Sequence, residues 1–238
     1  MNYGCGGGYS GTASYCAAGG GYSQSYSTSG SYLCNTASYM GSSYSTKAEY
    51  TMPETPSFQI TESFLTENRP LTPMISNLGE IKDIIHQTFQ KITGQDFPED
   101  AIKIKICDEK QFRQFQPANV LGISYNKYGK GISEIIAVQD HMDRLLLTIG
   151  HEIGHVLSPT LPNLKDEEAK AHAFSIAWIE TIRENNIGGL RPNIIPNPAH
   201  NGIHDAAFDF VKYLMQTGTS AFDVFKTLAH GLTSMIAR

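Results

Sequence analysis

The amino-terminal part of the chain lacks charged residues. No Asp, Glu, Lys or Arg precedes Lys47, so the formal net charge of −5 belongs entirely to the rest of the 238 residues. A mildly acidic balance provides no basic patch that would attract nucleic-acid phosphates or anionic lipid headgroups. The composition therefore predicts that the protein binds neither nucleic acid nor a membrane surface.

Long apolar runs are also missing. No stretch approaches the roughly 18 apolar residues of a membrane-spanning helix, and the amino terminus has neither the basic region nor the apolar region of a secretory signal. We therefore expect a cytoplasmic protein. The 4 cysteines form no CxxC pair, which excludes a zinc-finger pattern and a tight disulfide framework. Cys107, at the end of an apolar run, is expected to be an inert core thiol.

Residues 1–50 are a low-complexity tail. They hold 9 of the 12 tyrosines together with many glycines and serines, and they have few aliphatic side chains. Such a composition cannot bury enough apolar surface to offset the entropy that is lost on ordering, so the tail is predicted to be disordered on its own. Residues 51–75 carry several prolines around one possible short strand, and this composition predicts a linker.

Apolar periodicity beyond residue 75 predicts a helix, then strands, then further helices. Ile102, Ile104 and Ile106 alternate with lysines, which is typical of a half-buried strand. The turn-rich NKYGKG between two further apolar runs indicates a β-hairpin. We therefore predict an α+β fold, a small β-sheet backed by helices, with a C-terminal helical subdomain. The predicted helices cover 76–94, 109–115, 141–157, 166–186, 203–216 and 220–237, and the predicted strands cover 101–107, 120–125 and 132–138.

The stretch LLLTIGHEIGHVLSP places two histidines four residues apart in one predicted helix. Positions i and i+4 share a helix face, so His151 and His155 can bind one Zn²⁺ while Glu152 holds a water molecule beside it. Because this helix is strongly apolar, unpaired histidines and a carboxylate would be costly there without a metal. Gly150 and Gly154 each lower helix stability by roughly 1 kcal/mol relative to alanine, which suggests that another element approaches closely.

A catalytic zinc ion needs a third protein ligand. The next predicted helix offers four candidates: Asp166, Glu167, Glu168 and His172. Glu168 shares a helix face with small residues and can reach the metal, whereas Asp166 and Glu167 fit a first turn, where the helix dipole favours acids. His172 is either a ligand in place of Glu168 or a hydrogen-bonding partner of a ligand or substrate group.

The segments HEIGH and EAKAHAF resemble the gluzincin metallopeptidases, in particular the minimal gluzincins and the ImmA-type regulatory proteases. By this resemblance, His151, His155 and Glu168 are the ligands of one zinc ion per chain, and Glu152 is the general base. The resemblance implies a zinc metallopeptidase domain at 76–190, which the helical subdomain at 191–238 follows.

The predicted reaction is hydrolysis of a peptide bond in a peptide or protein substrate. Zinc lowers the pKa of a bound water to about 7, and Glu152 would accept the proton of that water. The oxyanion that then forms needs a hydrogen-bond donor, and the segment NPAHNGIHDAAF offers His200 and His204. For each of these two histidines, a surface position without a catalytic part is the alternative.

The role of residues 1–75 stays open at this level. They are a disordered extension, an assembly surface built on stacked tyrosines, or a pro-segment that inhibits the enzyme intramolecularly. In the last case a cysteine thiolate, Glu54 or Glu62 would occupy the fourth zinc position and keep the enzyme latent. An extended peptide could also bind the strand nearest the metal helix by edge addition, although the sequence does not say which strand is the edge.

Two other functions compete with a general endopeptidase. One is a non-catalytic zinc-binding regulator or assembly protein, and the other is a narrow regulatory protease that cleaves one partner. Glu152 favours an enzyme, because a structural zinc site has no need of a general base and usually closes its fourth position with a protein ligand.

Overall fold

The computed structural model of the chain describes residues 63–195 and 206–236, together with two short strands nearer the amino terminus. Within these residues the fold is mixed α/β. The strands are Thr12–Ala17 (β1), Tyr26–Ser27 (β2), Met74–Ile75 (β3), Ile102–Cys107 (β4), Val120–Asn126 (β5), Ser133–Val138 (β6) and Asp140–His141 (β7). The α-helices are Lys82–Thr93 (α1), Glu109–Phe112 (α2), Met142–Val156 (α3), Leu164–Glu184 (α4), Ala206–Met215 (α5) and Ala221–Ala229 (α6).

The main sheet has the strand order β2-β1-β5-β6-β4. Strands β5 and β6 are antiparallel neighbours, so the predicted hairpin is confirmed. Strand β4 pairs with β6 in parallel, and its isoleucines alternate with exposed lysines as the sequence predicts. Strands β3 and β7 form a separate two-stranded ladder directly before α3.

One large apolar cluster lies between the sheet and the helices. It includes Ile149 and Ile153 of α3 and Phe174 and Trp178 of α4, all of which are completely or almost completely buried. Burying a large apolar side chain contributes roughly 1.5–3 kcal/mol relative to leaving it exposed. Helices α5 and α6 pack against α4 and contribute to the same cluster. The core therefore fixes α3 and α4 against each other.

Strand β1, from the tail, joins the main sheet beside β5; the prediction of disorder concerned the isolated tail and stays a prediction. Helices α2 and α6 end earlier than predicted. Helix α2 is a single turn that ends at Phe112 instead of residue 115. Helix α6 ends at Ala229 instead of residue 237, because Gly231 adopts a left-handed φ of 65° and the Met235 N–H donates a hydrogen bond to Asp166.

The linker is described only from residue 63 onward, so most of its possible strand lies outside the described residues. Leu65 forms an isolated antiparallel bridge with Ile194. Within the described ranges, none of the helices has the length and apolarity that crossing a membrane requires.

Candidate metal centre

Two glycines bring α3 and α4 into close contact. A Cβ atom on Gly154 would lie 2.9 Å from Cα and O of Ala171, and one on Gly150 would lie 2.5 Å from the Trp178 ring. Both distances are shorter than real carbon contacts, so no larger residue fits at either position without movement. The close approach that the sequence predicts at these glycines is confirmed, and α4 is the element that approaches.

This packing brings together the three residues that were predicted as ligands. His151, His155 and Glu168 each offer one ligating atom, and these atoms lie within 4.8 Å of one another. Nε2 of His151 is 3.6 Å from Glu168 Oε2, and Nε2 of His155 is 3.9 Å from Glu168 Oε1. Two ligands held about 2.1 Å from one tetrahedral ion would be about 3.4 Å apart. The three residues therefore form a group, the metal group, that could hold a metal ion.

Glu167 orients His155. The Nδ1 atom of His155 lies 2.9 Å from Glu167 Oε1. A hydrogen bond there places the ring proton on Nδ1 and leaves the lone pair of Nε2 for a metal. Nε2 is buried and has no hydrogen-bond partner within the residues that the structure describes. A buried polar atom without a partner is costly, and a metal ion at the centre of the group would supply one.

A completely buried lysine neutralises Glu167. Nζ of Lys170 donates to Glu167 Oε2 at 2.9 Å and to the carbonyl oxygens of His155 and Pro159, each at 3.3 Å. The Leu161 N–H donates to the same carboxylate oxygen at 2.7 Å. The orientation of His155 thus depends on a buried ion pair that also fixes the carboxyl end of α3.

The two histidines of the group have opposite pKa shifts. Burial lowers the pKa of His151 to about 4, although the neighbouring Glu168 acts in the other direction. Burial also lowers the pKa of His155, but the carboxylates of Glu168 and Glu167 outweigh it and raise that pKa overall. His151 is therefore neutral at pH 7, as a metal ligand must be.

The two glutamates of the group have lowered pKa values. Burial raises the pKa of Glu168, but the charge of His155 and a hydrogen bond from His151 outweigh it. For Glu167, burial is outweighed by the hydrogen bond and charge of His155 and by the charge of Lys170. Both carboxylates are therefore ionised at neutral pH, and together they favour a cation between α3 and α4.

Glu152 lies between the metal group and β5. Its side chain is completely buried, and its charge contributes to the raised pKa of His155. A Cβ on Gly122 of β5 would lie 3.1 Å from Glu152 Cγ and 2.7 Å from Thr148 Cγ2. The missing side chain at Gly122 therefore makes room for the carboxylate between the helix and the sheet.

A single side chain joins the end of β5 to the end of α3. Nδ2 of Asn126 donates to the carbonyl oxygens of His155 at 2.7 Å and Ser158 at 2.8 Å. These hydrogen bonds, with the contact at Gly122, hold β5 alongside the helix that carries the metal group.

The other predicted site residues are placed differently. His172 lies beside His151, with 4.9 Å between the ring centroids, but the group that could hold a metal contains Glu168 and not His172. His200 and His204 lie outside the described residues, so their role stays a prediction. Asp166 accepts hydrogen bonds from the Ser234 hydroxyl and the Met235 N–H, which attaches the segment after α6 to α4.

Two features of the candidate metal centre were not predicted from the sequence. Glu167 was predicted only as a first-turn acid, although it contacts His155. The buried Lys170, three residues later, completes the pair. The i, i+3 spacing of opposite charges was visible in the sequence, but such pairs are usually solvated. Burial distinguishes this one, and burial follows from the packing of α4 on α3.

A second buried network holds the start of α3. Asp143 accepts hydrogen bonds from Arg69 at 2.8 Å, Thr72 at 3.0 Å and Asn193 at 3.0 Å. These three residues come from the segments before β3 and after α4, so they attach both segments to α3.

Comparison with known proteins gave no match to any protein family, curated protein or solved structure.

Proposed function

We propose that the protein is a zinc-dependent endopeptidase that hydrolyses peptide bonds, with Glu152 as the general base. The observation that carries this proposal is the convergence of His151, His155 and Glu168 next to a buried glutamate on the same helix. Two imidazoles and one carboxylate are a ligand set of catalytic zinc sites, in which the fourth position stays open for water.

Zinc bound to these three residues would supply a Lewis acid and a water molecule of lowered pKa. Residues of the chain would orient the ligands and accept the proton. Glu167 fixes the tautomer of His155 through Nδ1, and the carboxylate of Glu152 would accept the water proton. The apolar packing of α3 and α4 limits access of bulk water from the core side. The assignment of His200 or His204 as donor to the oxyanion is part of the proposal.

Metal analysis of variants, alongside a peptide-cleavage assay, tests the proposal. Glu152→Gln should retain about one zinc per chain and lose cleavage, because the base is removed while the ligands remain. Glu168→Ala should lose the metal. Glu184→Gln, an exposed change on the same helix, is the control and should retain both properties.

The same measurements separate the alternatives. A chain that binds zinc but cleaves no peptide would indicate the non-catalytic regulator. Cleavage confined to one protein substrate would indicate the narrow regulatory protease. Zinc retained in Glu168→Ala would move the third ligand to another residue, with His172 as the nearest candidate.

A further inference from the structure

The outer edge of β5 is the sheet edge beside the metal group. On one side β5 pairs with β6, and on the other side it pairs with β1 from the tail. A strand with one free side presents a row of unpaired N–H and C=O groups, which can pair with any extended chain. The outer edge of β5 is thus of the kind that pairs with an extended chain, and a segment of the same chain occupies it.

This edge runs past the proposed general base. Gly122 of β5 faces Glu152, and Cys16 is the residue of β1 that pairs with Gly122. Paired strands are about 4.8 Å apart. Cα atoms of β1 also lie within 8 Å of Cα atoms of α3. The backbone of β1 therefore passes directly alongside the helix that carries the metal group.

The register spans the whole length of β5. Thr12 pairs with Asn126, Ser14 with Ser124 and Cys16 with Gly122, all in antiparallel orientation. The ladder is irregular between Cys16 and Ala17, next to the position opposite Gly122. Antiparallel pairing over a full strand makes the interaction depend on the backbone, so peptides of many sequences could take the same place.

The sequence of Thr12–Ala17 favours an extended strand. The letters TASYCA contain no glycine, proline or charge, whereas Gly11 precedes the segment and three glycines occupy positions 19–21. Glycine, proline and aspartate are depleted in strands, and alanine, glutamate and lysine are depleted to a lesser degree, whereas Thr and Tyr are enriched. Within the tail, this segment is thus suited to extend beside β5, and glycines on both sides allow the chain to turn away.

We propose that the outer edge of β5 is a docking site for an extended peptide, and that Thr12–Ala17 is an internal competitor that keeps this site occupied. The inference rests on the proposed function in one respect, since the peptide that competes for the edge is then the substrate. In the full chain the edge is masked, and release of the segment opens it.

Proline substitutions in the full chain test this proposal. Successive N–H groups of a strand point to opposite sides, so Ser14→Pro/Tyr15→Pro removes a donor from the β5 side whichever residue faces it. Ser31→Pro/Tyr32→Pro is the matched control: it changes the same residue types in the same order, outside the two strands described in the tail. All chains also carry Glu152→Gln, so that bound peptides stay intact.

The first two readouts need no catalysis. Amide hydrogen exchange of those N–H groups of Val120–Asn126 that point to β1 should become about tenfold faster or more in Ser14→Pro/Tyr15→Pro, whereas the N–H groups that point to β6 should stay slow. A labelled TASYCA peptide should bind this variant about tenfold more tightly. If β1 leaves the edge of β5 free about one-tenth of the time, a peptide binds that edge about tenfold more weakly than it binds a fully free edge. The same fraction gives the expected change in exchange rate. The control should behave like the parent chain. Equal exchange and equal peptide binding in all three chains would overturn the proposal.

The third readout separates this inference from the proposed function. With Glu152 restored, Ser14→Pro/Tyr15→Pro should cleave a peptide library about tenfold faster than the wild type. Absence of cleavage in every chain, with exchange and peptide binding still altered, would refute the endopeptidase and leave the docking site standing. Cleavage at equal rates in all chains would refute the internal competition.

The substitution Cys16→Ser tests the alternative in which a cysteine thiolate of the tail occupies the fourth zinc position. Because the proposal depends on backbone pairing, this variant should keep the slow exchange of β5 and the low peptide affinity of the parent chain. If Cys16→Ser opens the site as fully as the prolines do, the side chain holds the segment, and the backbone competition proposed here is wrong.

Discussion

The substitution Glu167→Gln tests how the metal centre is held together. Oε1 of this carboxylate lies 2.9 Å from His155 Nδ1, and Oε2 accepts from Lys170 and from the Leu161 N–H. Glutamine has nearly the same volume, but it lacks the negative charge and presents one donor group in place of an acceptor. It therefore disturbs both the orientation of His155 and the neutralisation of Lys170.

Each disturbance has its own magnitude. Loss of the partner that orients a metal-binding histidine weakens metal affinity about 10- to 100-fold, which is about 1.4–2.7 kcal/mol. Removing one member of a buried ion pair destabilises a fold by about 3–5 kcal/mol. Lys170 is completely buried, and burial lowers its pKa, so loss of its proton can reduce that cost. We expect Glu167→Gln to lower both metal affinity and the free energy of unfolding.

A double variant separates the two effects. In Glu167→Gln/Lys170→Met no charge is left unpaired, so most of the free energy of unfolding should return while metal affinity stays low. Affinity is measured by competition with a chelator, and stability is measured by denaturant unfolding without metal. The exposed Glu184→Gln on the same helix is the control for both assays. If a folded Glu167→Gln chain binds metal as tightly as the wild type, Glu167 does not orient His155 and the reasoning fails.

Two further changes test the packing around α3. Gly154→Ala should destabilise the fold by about 1–3 kcal/mol, because the new Cβ would lie 2.9 Å from the Ala171 backbone. Helix propensity alone predicts the opposite, a stabilisation of about 1 kcal/mol. A variant that is more stable than the wild type in denaturant unfolding would therefore refute close packing at Gly154. Burial raises the pKa of Asp143, but hydrogen bonds, that from Asn193 foremost, and the charge of Arg69 lower it overall. The ionised Asp143 carboxylate therefore stabilises the fold fully above pH about 4, and this stabilisation is lost as the pH falls through the lowered pKa. Asp143→Asn should be less stable than the wild type at pH 7, and urea unfolding should show this difference shrinking below pH 4; a difference that is constant with pH would contradict the ionised network.

Much of the local structure could be predicted from the sequence. Helices α1, α3 and α4 follow from apolar residues at helical spacing, and the β5–β6 hairpin follows from a turn-rich segment between two apolar runs. The two histidines share a helix face for the same reason. Gly150 and Gly154 indicated a close neighbour, and that neighbour is α4.

Long-range features could not be predicted in the same way. The pairing of β1 with β5 joins residues more than 100 positions apart, and the sequence TASYCA does not indicate which strand it pairs with. The early end of α6 depends on Asp166, which lies on another helix. In both cases the deciding hydrogen bonds come from a distant segment, so local propensity is overruled by tertiary contacts.

The sequence by itself determined which residues could bind a metal and on which helices they lie, because periodicity within one element depends on residues close along the chain. The tertiary structure decided that Glu168 reaches the two histidines, that Glu167 and Lys170 are buried beneath them, and that β1 covers the edge next to Glu152. These facts depend on distances between elements, which are set by close packing of side chains far apart in the sequence.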